Sequence, residues 1–134
     1  MIVRSVQDII GTDRDIRGDS WASRRLLVAK DSVPFSLNET TVEAGTELQL
    51  WYKHHIESNY VVEGEGSVKN LDSGESFPLK PGTCYTLDQH DRHIVKATTR
   101  LKFVCVFHPP LTGQEKHDED GSYLPATEHE GESS

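Results

Sequence analysis

At 134 residues the chain is long enough for one compact domain and too short for two ordinary ones. Its formal charge of −8 is uneven, since residues 113–134 carry seven acids against Lys116 and hold −6 of it; the mildly acidic remainder has no basic patch for nucleic acid or anionic lipid. Residues 1–20 are charged throughout and contain no apolar run suited to a signal peptide or a membrane span, which predicts a soluble, cytoplasmic protein whose Cys84 and Cys105 stay free thiols.

The first predicted element is a short helix in "SVQDIIG", about a turn and a half, with Ser5 as its cap and Gly11 as its stop. Little else keeps a helical period. From Gly45 onward Gly and Pro recur at short intervals, and the segments between them are rich in Val, Leu, Tyr, Phe and Thr, a pattern of many strands joined by turns. "ELQLWYKHH" puts Leu48, Leu50, Tyr52 and His54 on one strand face and Gln49, Trp51 and Lys53 on the other. In the next strand Glu57, Asn59 and Val61 share a face opposite Ser58, Tyr60 and Val62. "RLKFVCVFHPP" is apolar on both faces, Phe103, Cys105 and Phe107 against Val104 and Val106, which predicts a strand that lies between two layers or lines a closed cavity. Spaced strands with tight turns point to an all-β small barrel or two-sheet sandwich over residues 1–112, followed by an acidic, flexible segment, residues 113–134.

Glu57 raises the chemical question. A carboxylate facing such an interior is costly to ionise unless a cation, a metal or several donors compensate it. "KPGTCYTLDQHDRH" supplies possible companions in Tyr85 and His93, and a carboxylate, a phenol and an imidazole together can chelate a metal ion. The adjacent His54 and His55 read as exposed or hydrogen-bonded histidines at a strand end.

Residues 45–66 and 82–93 resemble the two motifs of the cupin superfamily. The first ends in Glu, six residues and Gly, met by Glu57 and Gly64. The second begins at Gly82 and ends at His93, with Asp88 and His90 standing where Pro and Gly are usual. The usual His-x-His pair is absent, its place taken by Leu50 and Tyr52 or by Trp51 and Lys53. Across "DSWASRRLL", "FSLNETTVEAGTELQLWYKHHIESNYVVEGEG", "CYTLDQHDRH" and "CVFHPPLTGQEKHDEDGSY" the chain resembles the ectoine synthase family of cupin lyases. The resemblance implies a jelly-roll-type cupin barrel with minimal helix. It also implies a hydro-lyase that closes N-γ-acetyl-L-2,4-diaminobutyrate into the compatible solute ectoine with loss of water.

The same resemblance implies a metal site of Glu57, Tyr85 and His93. One nitrogen and two oxygens suit iron(II) better than a thiophilic metal, and zinc(II) remains compatible with the donor set. Carried onto matching positions, Tyr52 and Thr40 are candidates for proton relay or for orienting the oxygen, and Glu115 for holding the α-amino group with His117 beside it. Arg25 is assigned to the substrate carboxylate, and Trp21, Cys105 and Phe107 to the wall. On this reading residues 113 to about 120 close over the cavity as a lid, keeping water from a dehydration. A homodimer is implied as well. The alternative is a non-catalytic cupin that binds a small polar solute, for which a Lewis acid beside a carbonyl site would be superfluous.

Overall fold

The computed structural model describes residues 1–113. Glu115, His117 and almost all of the 113–134 segment expected to form a lid and tail lie outside the described residues. Ser5 caps helix α1 (Val6–Ile9) in a reciprocal box: its hydroxyl accepts from the Asp8 N–H at 3.3 Å, and its own N–H donates to the Asp8 carboxylate at 2.9 Å. Ile9 is buried, and Gly11 stands just beyond the end at φ +82°, as a stop residue should. A single 3-10 turn, Ala29–Asp31, is the other helical element among the described residues.

Ten strands follow the turn chemistry of the sequence: β1 (Asp15–Arg17), β2 (Trp21–Leu27), β3 (Ser36–Val42), β4 (Glu47–Leu50), β5 (Ile56–Glu63), β6 (Gly66–Asn70), β7 (Ser76–Leu79), β8 (Cys84–Leu87), β9 (His93–Ala97) and β10 (Leu101–His108). They form two antiparallel sheets, ordered β1-β2-β3-β10-β5-β8 and β4-β9-β6-β7. Inward-facing residues of both sheets, among them Val61, Leu101 and Phe107 from the first and Leu50, Val68 and Val95 from the second, build one core. Gly64, the glycine of the first motif, sits at φ +90°, and a β-carbon there would run into the Arg100 carbonyl. Only glycine allows that approach, which brings the end of β5 against the start of β10.

One strand expectation needs correction, and a second is settled between its two alternatives. β4 ends at Leu50, and the chain bends at Lys53 and His54, so His54 is exposed and does not share a face with Tyr52; His55 is instead buried. β10 does not lie between two layers but lines the interior between the sheets with one face. Its odd residues, Leu101 to Phe107, are buried, whereas Val104 on the opposite face is 36% exposed. The outer valines follow from the strand preference of branched side chains and say nothing of a second layer. Both cysteines are free, as expected, with Cys84 exposed and Cys105 buried.

Asp31 ties the chain's beginning to the loop after β2. Two guanidinium forks grip it, Arg4 at 2.8 and 3.1 Å and Arg14 at 3.0 and 3.2 Å, and the Val28 N–H donates to the same carboxylate at 2.9 Å. Together they hold its pKa well below the ordinary carboxylate value of 3.8. The carboxylate's contribution to stability is therefore complete above the unfolded pKa and is lost as pH falls through the lower native one. Asp31→Asn should cost about 1.5–3 kcal/mol at neutral pH, and the deficit should shrink in strongly acidic buffer. Denaturant melts at the two pH values check this; an equal deficit at both would contradict it.

Candidate active site

Cross-strand register arranges the interior of the six-stranded sheet in rows. Ser36, Phe107, Glu57 and Leu87 stand opposite one another along one row, and Arg25, Asn38, Cys105, Asn59 and Tyr85 along the next. A third row joins Ser23, Thr40, Phe103 and Val61. Because side chains alternate along a strand, these rows face the second sheet together. Between the sheets lies a cavity of about 480 Å³ of atom-free space, counting its open mouth. Glu57, Tyr85, Tyr52, Thr40 and Cys105 line it, with Trp21 and Phe107 in the wall. Trp21 takes its place because Gly18 has no β-carbon, which would otherwise collide with the indole.

Glu57 is 6% exposed, and burial pushes its pKa up to about 7, partly offset by the Asn59 side chain. Tyr85 is half-buried with its phenol turned inward, and burial together with the Glu57 charge raises its pKa well above 10. The Cys105 thiol is raised too, by burial and again by Glu57, and it donates to the Thr40 hydroxyl at 3.4 Å. It is a neutral thiol in this site, not a nucleophile.

His93 enters from the other sheet and is 1% exposed. Its Nδ1 lies 2.9 Å from the Asp91 carbonyl, to which only a protonated nitrogen can donate, so Nε2 keeps its lone pair. That Nε2 is buried and has no hydrogen-bond partner among the described residues. Burial lowers the pKa of the ring and keeps it neutral, the form that binds metals. His93 borders a second cavity, beside Asn70 and Asp91, and Tyr85 forms part of both cavities. Tyr52 touches His93 with ring centroids 5.9 Å apart and meets Phe107 edge-on at 5.2 Å. Among the described residues no group of three or more His, Cys, Asp and Glu could hold a metal, so a metal here would need the Tyr85 phenol. An orphaned imidazole lone pair, a buried carboxylate and an inward phenol are hard-to-intermediate donors of the kind that suit iron(II) or zinc(II).

Arg25 is fully buried, with its Nε 3.3 Å from the Ser23 hydroxyl, which also accepts from the Asn38 amide at 3.3 Å. Ser23, Asn38 and Asn59 are buried residues facing the cavity that the sequence reading did not single out. Their neighbours at the same parity are largely polar too, Arg25 beside Ser23, Ser36 and Thr40 beside Asn38, and Glu57 beside Asn59, so alternation alone did not mark them as interior. His55, read as a strand-end residue, packs edge-on against Phe107 at 5.9 Å, beneath the cavity wall.

Residues 1–127 match the family model for ectoine synthase. The chain is 53% identical over 125 residues to the L-ectoine synthase of Desulfatibacillum aliphaticivorans, covering 92% of this chain and 96% of that one. It is 50% identical over 129 residues to the L-ectoine synthase of Shouchella clausii, covering 96% of each. The solved ectoine synthase of P. lautus superposes with a TM-score of 0.85 at 48% identity, over 92% of this chain and 90% of that one. A predicted oxalate decarboxylase from Thermotoga maritima, 20% identical, shares the fold at a TM-score of 0.66 over 81% of this chain and 99% of its own. A Cupin_2 domain from Enterobacter cloacae, 18% identical, does so at 0.58, over 69% and 99%. The all-β architecture is thus that of the cupins.

Glu57 makes the metal-free protein sensitive to pH in a definite direction. The native state keeps its proton up to about pH 7, whereas the unfolded chain releases it near 4.5, so stability falls as pH rises through that window. Thermal melts of metal-stripped protein should show this decline between about pH 5 and about pH 8, and Glu57→Gln should flatten it and melt higher at the alkaline end. An unchanged slope in Glu57→Gln would place the titration elsewhere.

Proposed function

The chain belongs to the ectoine synthase family, and from that premise we propose that its ring closure depends on a metal ion held by Glu57, Tyr85 and His93, with iron(II) the best match and zinc(II) compatible. The reaction itself is that of a lyase acting on a small molecule: the α-amino group of N-γ-acetyl-L-2,4-diaminobutyrate attacks its own acetamide carbon, a C–N bond forms, and the carbonyl oxygen leaves as water. The product is the six-membered cyclic amidine ectoine. The observation that carries the metal reading is the His93 Nε2, a buried lone pair with no partner among the described residues, on a ring whose cavity shares Tyr85 with the cavity that Glu57 lines.

A bound metal would supply Lewis acidity toward the carbonyl oxygen, since amide carbonyls are poor electrophiles. The chain's own residues do the rest. Two sheets fold the flexible substrate so that nitrogen approaches carbon to about 3–3.5 Å, where proximity contributes most. Arg25, buried behind the cavity-lining Ser23 and bonded to it, is assigned the substrate carboxylate, and Trp21 and Phe107 in the wall the acyl and methylene groups. Attack requires a neutral amine, and both of that amine's protons leave with the oxygen. Tyr52 and Thr40 both line the cavity, which supports assigning their hydroxyls to relay or orient them.

We further propose a cytoplasmic homodimer. Free thiols match a reducing compartment. On the outer face of the six-stranded sheet Tyr60, Val62 and Val104 are 49, 41 and 36% exposed, and Val104 stands directly opposite Tyr60. Such an apolar strip is a suitable self-complementary surface.

Metal-stripped protein, incubated anaerobically with N-γ-acetyl-L-2,4-diaminobutyrate and followed for ectoine by chromatography, should be inactive and should recover on addition of iron(II). Alanine at Glu57, Tyr85 or His93 should remove bound metal and lower turnover by roughly 10²-fold or more, while His54→Ala keeps both. Full turnover by the stripped enzyme would sink the metal reading. For the assembly, light scattering should give twice the 15.1 kDa chain mass, and Val104→Asp should give monomers. A monomeric unmodified chain would end that proposal.

A further inference from the structure

Asn59 is a buried amide with no role in the scheme above. It follows Glu57 by two residues on the same face of β5, stands opposite Tyr85 on one side and Cys105 on the other, and is 3% exposed. Asparagine is disfavoured in strands and expensive to bury, and a valine would fill this position at lower cost on both counts. Yet its Nδ2 makes no well-formed hydrogen bond to any described residue. A donor left unsatisfied in an interior signals something that the site acquires on binding.

The surroundings narrow the acceptor. The Cys105 thiol is a weak one. The Glu57 carboxylate is a strong one, and it is the next residue along on the same inward face of β5. A carboxylate that gives one oxygen to a metal keeps the other free. We propose that Asn59 is a positioning residue of the metal centre, its amide donating to the oxygen of Glu57 that does not face the metal and thereby fixing the carboxylate's orientation. This rests on the metal reading given above. Hydrogen bonds to ligating carboxylates are a general means of tuning affinity, and their loss typically costs 10–100-fold in metal binding.

Metal binding without substrate provides the test. Full-length, metal-stripped protein is titrated anaerobically with iron(II), and with cobalt(II) for its visible spectrum. The unmodified chain should take up one equivalent. Asn59→Val should bind about 10–100-fold more weakly, with an altered cobalt(II) spectrum, while its metal-free melting temperature stays equal or rises. Asn59→Ser, which keeps a donor, should bind more tightly than Asn59→Ala, and that pair carries the test if the valine variant does not fold. At saturating iron(II) the valine variant should keep its KM for the substrate. Equal metal affinity in Asn59→Val and the unmodified chain would overturn the proposal and leave the metal reading intact. So would a raised KM with unchanged metal affinity, which would make Asn59 a substrate contact. If the unmodified chain takes up no metal, the reading beneath the proposal fails and takes it along.

Discussion

A carboxylate sealed between two sheets is the constraint on which the rest of the molecule depends. Glu57 stays in place because β5 keeps register with β10 on one side and β8 on the other. A slip of a single residue would turn Ile56 or Ser58 inward and put Glu57 in water. Two local devices hold that register. The bend at Lys53 and His54 starts the strand on the correct parity, with Ile56 out and Glu57 in. At the far end Gly64 admits the Arg100 carbonyl, so the strand can end only where β10 begins. The seven-residue step from Glu57 to Gly64 is therefore the distance between a buried charge and the close backbone contact that pins its strand.

Much of this was legible in residues alone. The capped turn at Ser5, the strands between glycines and the inward parity of Glu57 follow from local chemistry, and the structure has them where periodicity puts them. The burial of His55 was not legible, because a two-residue bend reverses parity and leaves no periodic trace. Nor was the open side of β10, since valine suits both a covered strand face and a bare one. Asn38 and Ser23 escaped notice for a related reason: a polar residue every second position looks like a wet face until the opposite face is seen to be the outer one. The family segments carried the candidate ligands, which stand on β5, β8 and β9 of two sheets and share no local signature.

The second motif shows how a departure from the usual pattern can be accommodated. Where cupins commonly have glycine, His90 adopts φ +52°, a conformation that costs a side-chain-bearing residue. Its ring Nδ1 lies 2.9 Å from the Tyr52 carbonyl, a bond that glycine could not make. The strained residue is thus tied to the backbone that presents the Tyr52 ring to His93 and Phe107. The loop preceding His93 and the segment following β4 are coupled by it, and both lead into the site.

The polarity of the cavity has a direction that follows from one weak bond. The Cys105 thiol is kept protonated by burial and by Glu57, and it donates to the Thr40 hydroxyl. A hydroxyl that accepts on one side is turned to donate on another. On a wall that it shares with Val42, Phe103 and the Trp21 indole, that leaves the Thr40 hydrogen for an oxygen that enters the cavity. A cysteine assigned to the wall by its sequence thereby acts in the structure as the group that orients its neighbour.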